Sequence, residues 1–259
     1  MSDVVMHRWA LLACVAVAAL AGLGAARQTG DDADDDRGRT LYLQGCASCH
    51  GVDGGGSRAP DGSQRGPSLL RSGEAAAFYY LSTGRMPLAN TGEQPTRKDP
   101  AYPPGDIEAL VDFVASLGDG PALPDVDLAD VDLAEGGVIY RSNCQACHSA
   151  SAAGGALSYG RAAPPLAPAD PSEIAAAVRA GPGQMPVFGP DELSGEQLDD
   201  LIAYTEYLGA PEDPGGLPIG RLGPIPEGFV AWLIGMGALL TFVWWIGSRS
   251  PIRPVRSDR

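Results

Sequence analysis

Two short strings hold most of the side chains of this 259-residue chain that could do chemistry. They are Cys46-Ala47-Ser48-Cys49-His50 and Cys144-Gln145-Ala146-Cys147-His148. The chain has five cysteines and three histidines, so the strings take four of the former and two of the latter. Cys-x-x-Cys-His is the string through which haem c is attached covalently. Each thiol adds to a haem vinyl group and leaves a thioether. The spacing sets both sulfurs on one face of a helical turn, and the following imidazole is positioned to ligate iron axially.

Other uses of paired cysteines fit less well. A thioredoxin-like redox pair belongs in a βαβ pattern, and no such strand runs are visible. A four-cysteine zinc ribbon expects about 15–20 residues between its pairs, whereas 94 separate Cys49 from Cys144. Structural disulfides would not call for a histidine after each pair. Cys14 lies in an apolar leader with too little apolar chain before it for a lipoprotein site, and is read as a spare cysteine.

An axial ligand opposite each histidine is available among the five methionines. Met86 follows Cys46 by 40 residues and Met185 follows Cys144 by 41, in the matching contexts Gly84-Arg85-Met86-Pro87 and Gly183-Gln184-Met185-Pro186. A lone methionine is usually core filler. Here the same local string recurs at nearly the same distance, so His50 with Met86 and His148 with Met185 are the expected iron ligands. A thioether opposite imidazole raises the iron potential, as electron-transfer cytochromes require.

The elements that must position these groups also recur. Gly38-Arg39-Thr40-Leu41-Tyr42 precedes the first string and Gly136-Gly137-Val138-Ile139-Tyr140 the second. Pro67-Ser68-Leu69 is matched by Pro164-Pro165-Leu166. Each half closes with an amphipathic helix, expected over Asp106–Leu117 and Gly195–Leu208. A half therefore reads as helix, haem string, Gly/Pro-rich loops, Met loop and closing helix, with the haem serving as core for a unit that buries little apolar surface of its own. The expected domains are 37–118 and 136–209. An acidic Pro-bearing linker (119–135) joins them, and a semi-stiff connector (210–228) follows.

Charge and hydropathy place the halves in a cell. The formal charge is −14, with 30 acidic against 13 basic residues over 27–228, or −17, and +3 on the last twelve residues. That balance argues against a nucleic-acid binder, which needs a clustered basic face. Phe229–Gly247 is 19 residues without a charge, about 28 Å as a helix and close to the ~30 Å hydrocarbon core. The basic tail 248–259 behind it predicts a cytoplasmic C-terminus and haem domains outside the plasma membrane. Residues 1–26 read as a signal peptide cleaved near Ala26, or as an uncleaved signal-anchor of the same orientation. The acidic stretch 27–36 reads as disordered.

The pattern Cys-x-x-Cys-His, then Gly66-Pro67-Ser68-Leu69 or Ala163-Pro164-Pro165-Leu166, then the Met-Pro loop and a closing helix resembles two tandem class I cytochrome c domains. The fold class expected is mainly α, with those domains followed by one C-terminal transmembrane helix. The resemblance implies that the Pro67 and Pro164 carbonyls accept the Nδ1 protons of His50 and His148. Ala163 and Pro165 depart from the Gly and Ser of that loop. Over nearly its whole length the chain further resembles the dihaem cytochrome c subunit of actinobacterial-type menaquinol:cytochrome c reductases. GCASCHG (45–51), GPSLL (66–70), TGRMP (83–87), NCQACH (143–148) and PIPEGFVAWLIGMGAL (224–239) carry this likeness. It implies two covalent haems c, cytochrome b and Rieske iron–sulfur partners, and a relay of electrons from the Rieske centre to cytochrome c oxidase. The first haem would be the acceptor and the second the donor. The chain itself would perform no substrate chemistry. Two rival readings remain at this point: another membrane-anchored dihaem donor, and a dihaem enzyme such as a peroxidase, which would leave one iron open.

Overall fold

A computed structural model describes residues 36–210 and 224–249. The leader, nearly all of the 27–36 segment, most of the connector and the basic tail past Arg249 lie outside the described residues. Nine α-helices are seen among the described residues: α1 over 36–45, α2 (Ala47–His50), α3 (Gly73–Ser82), α4 (Pro104–Ser116), α5 (Leu133–Asn143), α6 (Gln145–His148), α7 (Pro171–Ala180), α8 (Gly195–Gly209) and α9 (Pro224–Arg249). Two minimal antiparallel hairpins accompany them, β1 (Ser57–Arg58) with β2 (Gln64–Gly66) and β3 (Gly155–Ala156) with β4 (Ala162–Ala163).

These residues group into two compact units. One holds the described residues up to Asp127 together with Asp170–Leu198. The other holds Leu128–Ala169 and the residues from Asp199 onward.

In the first unit α1 crosses α4 at Gly38, where a Cβ would stand 2.0 Å from the Ala109 carbonyl oxygen. No side chain fits there, so a glycine is needed for the helices to touch. The contact seats fully buried Tyr42 against Phe113, ring centroids 5.1 Å apart. Ala77, Leu81, Ile107, Leu110, Val111 and Val114 complete that core.

The opposite side of α3 carries Ala75 and Tyr79, which pack on Ala176 of α7. Burial on both sides leaves α3 (Gly-Glu-Ala-Ala-Ala-Phe-Tyr-Tyr-Leu-Ser) without a polar stripe. That is why no helical period marks it in the sequence, where this region reads as loop. An ion pair spans the same seam: Arg97 donates to both carboxylate oxygens of Glu173, at 3.1 and 2.5 Å. The residues after α4 are pinned as well, since Ala75 N–H donates to the Pro121 carbonyl and Leu123 N–H to Glu74.

In the second unit the first crossing is repeated. A Cβ on Gly136 of α5 would stand 2.0 Å from the Asp200 carbonyl oxygen of α8, and fully buried Tyr140 lies 5.6 Å from the Tyr204 ring. Asp132 caps α5 by accepting from the Ala134 and Glu135 amides.

Helix α9 begins at Pro224, ahead of the uncharged stretch, because prolines are tolerated in a first turn. From Glu227 to Arg249 it is long and apolar enough to cross a membrane, and among the described residues its apolar stretch has no buried residue. Its hydroxyls are satisfied within the helix, Thr241 donating to the Gly237 carbonyl and Ser248 to that of Trp245.

Candidate haem-attachment site

Each Cys-x-x-Cys-His string continues the helix before it by one turn. Cys46 N–H donates to the Tyr42 carbonyl and His50 N–H to that of Cys46, at 2.8 and 2.9 Å. Cys144 to Tyr140 and His148 to Cys144 repeat this at 2.9 Å each. Residues three apart on a helix share a face, so the two sulfurs of each string project together. All four thiols are free of disulfides.

Behind each string the chain turns through its small hairpin and returns a carbonyl to the imidazole. Ser57 pairs with Gly66, and Pro67 follows. Gly155 pairs with Ala163, and Pro164 follows. Leu69 N–H donates to the Gly54 carbonyl (2.7 Å) and Leu166 N–H to that of Ala152 (2.9 Å), which fastens the returning segment in each half. His50 Nδ1 lies 2.9 Å from the Pro67 carbonyl oxygen, and His148 Nδ1 lies 3.0 Å from that of Pro164. A carbonyl can only accept, so each ring holds its proton on Nδ1 and leaves the Nε2 lone pair for a metal. The contact at Pro164 forms despite Ala163 and Pro165, because its acceptor is a main-chain carbonyl.

The electrostatics favour this use over redox chemistry at the thiols. Burial, and then the neighbouring Cys49, push the Cys46 thiol up. Burial, and then Cys147, push Cys144 up to about 11. Redox-active Cys-x-x-Cys pairs are shifted the other way, toward thiolate. Burial lowers His148 against the opposing effect of the Pro164 carbonyl, which favours the neutral imidazole that binds metals. Among the described residues no three His, Cys, Asp or Glu side chains cluster as a separate metal site.

The methionines are held by different means. Met86 is half-buried and packs with Cys46 against the core of the first unit, its N–H donating to the Tyr80 carbonyl at 3.0 Å. The loop around it is tied down by main chain, Lys98 N–H to the Thr83 carbonyl at 3.1 Å. Met185, also half-buried, lies on the loop after α7, among the residues that group with the first unit. Buried Arg179 clamps that loop, donating from Nη1 to the Phe188 and Leu193 carbonyls at 2.9 and 2.8 Å.

The sequence reading assigned no role to Tyr42 or Tyr140. Tyr42 donates its hydroxyl to the Gly51 carbonyl and Tyr140 to that of Ser149, both at 2.7 Å. Each hydrogen bond reaches the residue directly after the histidine and closes the Cys-x-x-Cys-His turn. The signal was available, since each tyrosine stands four positions before the first cysteine of its string. Nothing comparable announces Arg179, or the pairing of Arg97 with Glu173.

Residues 36–118 match the cytochrome c family, and residues 131–204 match the family described as cytochrome c oxidase, cbb3-type, subunit III. Fold and site thus define a mainly α protein with two cytochrome c domains in tandem and one C-terminal apolar helix suited to a membrane anchor. Cytochrome c domains bind haem c covalently, and the free thiols and oriented imidazoles described above fit that group.

Proteins named cytochrome bc1 complex cytochrome c subunit are similar over most of the chain. The Mycobacterium tuberculosis protein is 42% identical over 221 residues, covering 82% of this chain and 77% of its own length. That of Mycobacterium leprae is 39% identical over 221 residues (82% and 75%), and that of Corynebacterium efficiens 36% over 243 (87% and 80%). The chain belongs to this family of cytochrome bc1 complex cytochrome c subunits.

Proposed function

We propose that this chain is the dihaem electron-transfer subunit of a respiratory menaquinol:cytochrome c reductase. It would work beside cytochrome b and a Rieske iron–sulfur protein and deliver electrons to cytochrome c oxidase. Cys46 and Cys49 would hold one haem c, with His50 and Met86 as its iron ligands, and Cys144 and Cys147 would hold the other, with His148 and Met185. The haem supplies a one-electron ferric/ferrous couple when bound. The chain attaches it, fixes each imidazole through the Pro67 or Pro164 carbonyl, and offers a thioether that raises the potential. The two attachment domains, 37–118 and 136–209, arise from an internal duplication. Helix α9 anchors them on the extracytoplasmic side of the plasma membrane, its basic tail staying inside, and the leader is a signal peptide.

The observation that carries this reading is the paired imidazole-to-proline contact behind each string, in a chain whose relatives are named for a bc1 complex. The test is purification of the full chain from its own membranes in mild detergent. The reading expects a mass increment of two haems, a methionine-to-iron charge-transfer band from both, and co-purification of b-type haem and a Rieske protein. Two haems without those partners would make it a different membrane-anchored donor. A band from only one haem would favour the dihaem enzyme.

A further inference from the structure

Arg85, the residue before Met86, is 7% exposed. Its guanidinium carbon stands 4.7 Å over the centroid of the Tyr79 ring, and its Nη1 is buried with no hydrogen-bond partner. Neither ion pair among the described residues includes it. Glu173, the carboxylate that acts on the same Tyr79, is committed to both terminal nitrogens of Arg97 and to the Asp170 N–H. The other ionisable neighbours, Tyr79 and Tyr80, have their phenols pushed up by burial and are neutral at pH 7. A buried guanidinium with one face on an aromatic ring and a free N–H lacks an anion, and burial makes that lack costly.

We infer that Arg85 binds a propionate carboxylate of the haem attached at Cys46 and Cys49. The inference rests on the proposal that this string carries a haem with Met86 as ligand. Haem c brings two carboxylates on one edge, and a guanidinium N–H is well matched to such an oxygen. Arg85 directly precedes Met86, the methionine proposed as iron ligand, and the Met86 N–H to Tyr80 carbonyl hydrogen bond fixes the main chain between them. The matching position of the other half is Gln184, exposed and uncharged. The contact therefore belongs to one haem only. A positive charge beside that iron favours the ferrous form and sets the first haem's potential above what its axial ligands alone would give.

The test is a redox titration of the full detergent-solubilised protein, with resonance Raman spectra of the propionate bending modes. R85Q should lower one of the two midpoints by about 59 mV, a tenfold change in its ferrous-to-ferric ratio, and leave the other unchanged. The propionate mode of the same haem should shift, while both methionine-to-iron bands persist. R85K keeps the charge and the fold, so it should hold the midpoint near wild type and still shift the mode, because the fork is lost. Two attached haems whose midpoints and propionate modes are untouched by both substitutions would overturn the role of Arg85 and leave the haem reading standing. Wild-type protein without haem on Cys46 and Cys49 would instead refute the reading beneath it.

Discussion

The segments around the two haem strings share a skeleton but fill it with different residues. In both, a buried tyrosine bonds the carbonyl after the histidine, a glycine lets two helices touch, and a proline carbonyl accepts a hydrogen bond from the imidazole Nδ1–H. Around the first string the tight loop turns on Gly54 at φ +72°, whereas around the second the same place, four residues past the histidine, is Ala152 at φ +56°. The first methionine loop is tied by main chain and carries buried Arg85. The second is clamped by Arg179 and carries exposed Gln184. What is common to both is geometry around the attachment turn. What differs lies at the methionine and in how the loops are held, which on the proposed function is where potential and rigidity would be adjusted without disturbing attachment.

The largest effect separates the two attachment strings from each other. C46A/C49A should remove one covalent haem and C144A/C147A the other, each leaving the remaining haem attached. Mass spectrometry of the intact chain and haem staining after denaturing electrophoresis read this directly. A double substitution that costs both haems, or neither, would break the comparison at its root.

Next in size are the helix crossings. An exposed helical glycine gains about 1 kcal/mol on replacement by alanine. At Gly38 and Gly136 the added Cβ meets a carbonyl oxygen at 2.0 Å, so the helices must part, at a cost of about 1–3 kcal/mol or more. G38A and G136A should both lower the denaturant midpoint. If one of them is neutral, the two crossings are not equivalent.

Much of this site was legible because it depends on covalent spacing. Cys46, Cys49, His50 and their counterparts lie within one helical turn, and the prolines that face the histidines recur at matching distances. The closing helices α4 and α8 were legible from their amphipathic stripes. Helix α3 was not, because it is covered on two sides and has no polar face. The last residues of the expected acidic linker belong to α5, whose start is marked by the Asp132 cap. Arg97 and Glu173 are 76 residues apart, and a single sequence holds no signal for so distant a pairing. The packing of α7 on α3 was hidden for the same reason.

A smaller effect tests whether the second loop is strained. Outside glycine the left-handed region costs about 1–2 kcal/mol, and Ala152 is buried there. A152G should therefore raise stability by up to about 1 kcal/mol, the gain being reduced by glycine's greater freedom in the unfolded chain. G54A should lower stability more than A152G raises it, since its Cβ would also press on Leu117 at 2.7 Å. Paired denaturation curves with unchanged haem content would measure both, and an A152G that destabilises would show that the turn is not strained.

The finest distinction concerns the two tyrosines. Y42F or Y140F removes one hydroxyl from a buried carbonyl partner and should cost about 1 kcal/mol. Burial, and then the nearby Cys46 and Asp53, push the Tyr42 phenol up to about 12 from an ordinary 10, and burial also raises Tyr140. In the haem-bound protein the cysteine sulfurs are thioethers and carry no charge, so burial is what persists. An acid whose folded pKa is raised contributes stability that is complete below the unfolded value and is lost as pH climbs toward the folded one. Wild-type protein should hence lose stability between about pH 10 and 12, and Y42F should lose less over the same interval. Denaturation midpoints at pH 9 and pH 11 give the difference, and identical losses in wild type and Y42F would show that Tyr42 does not govern the alkaline limb.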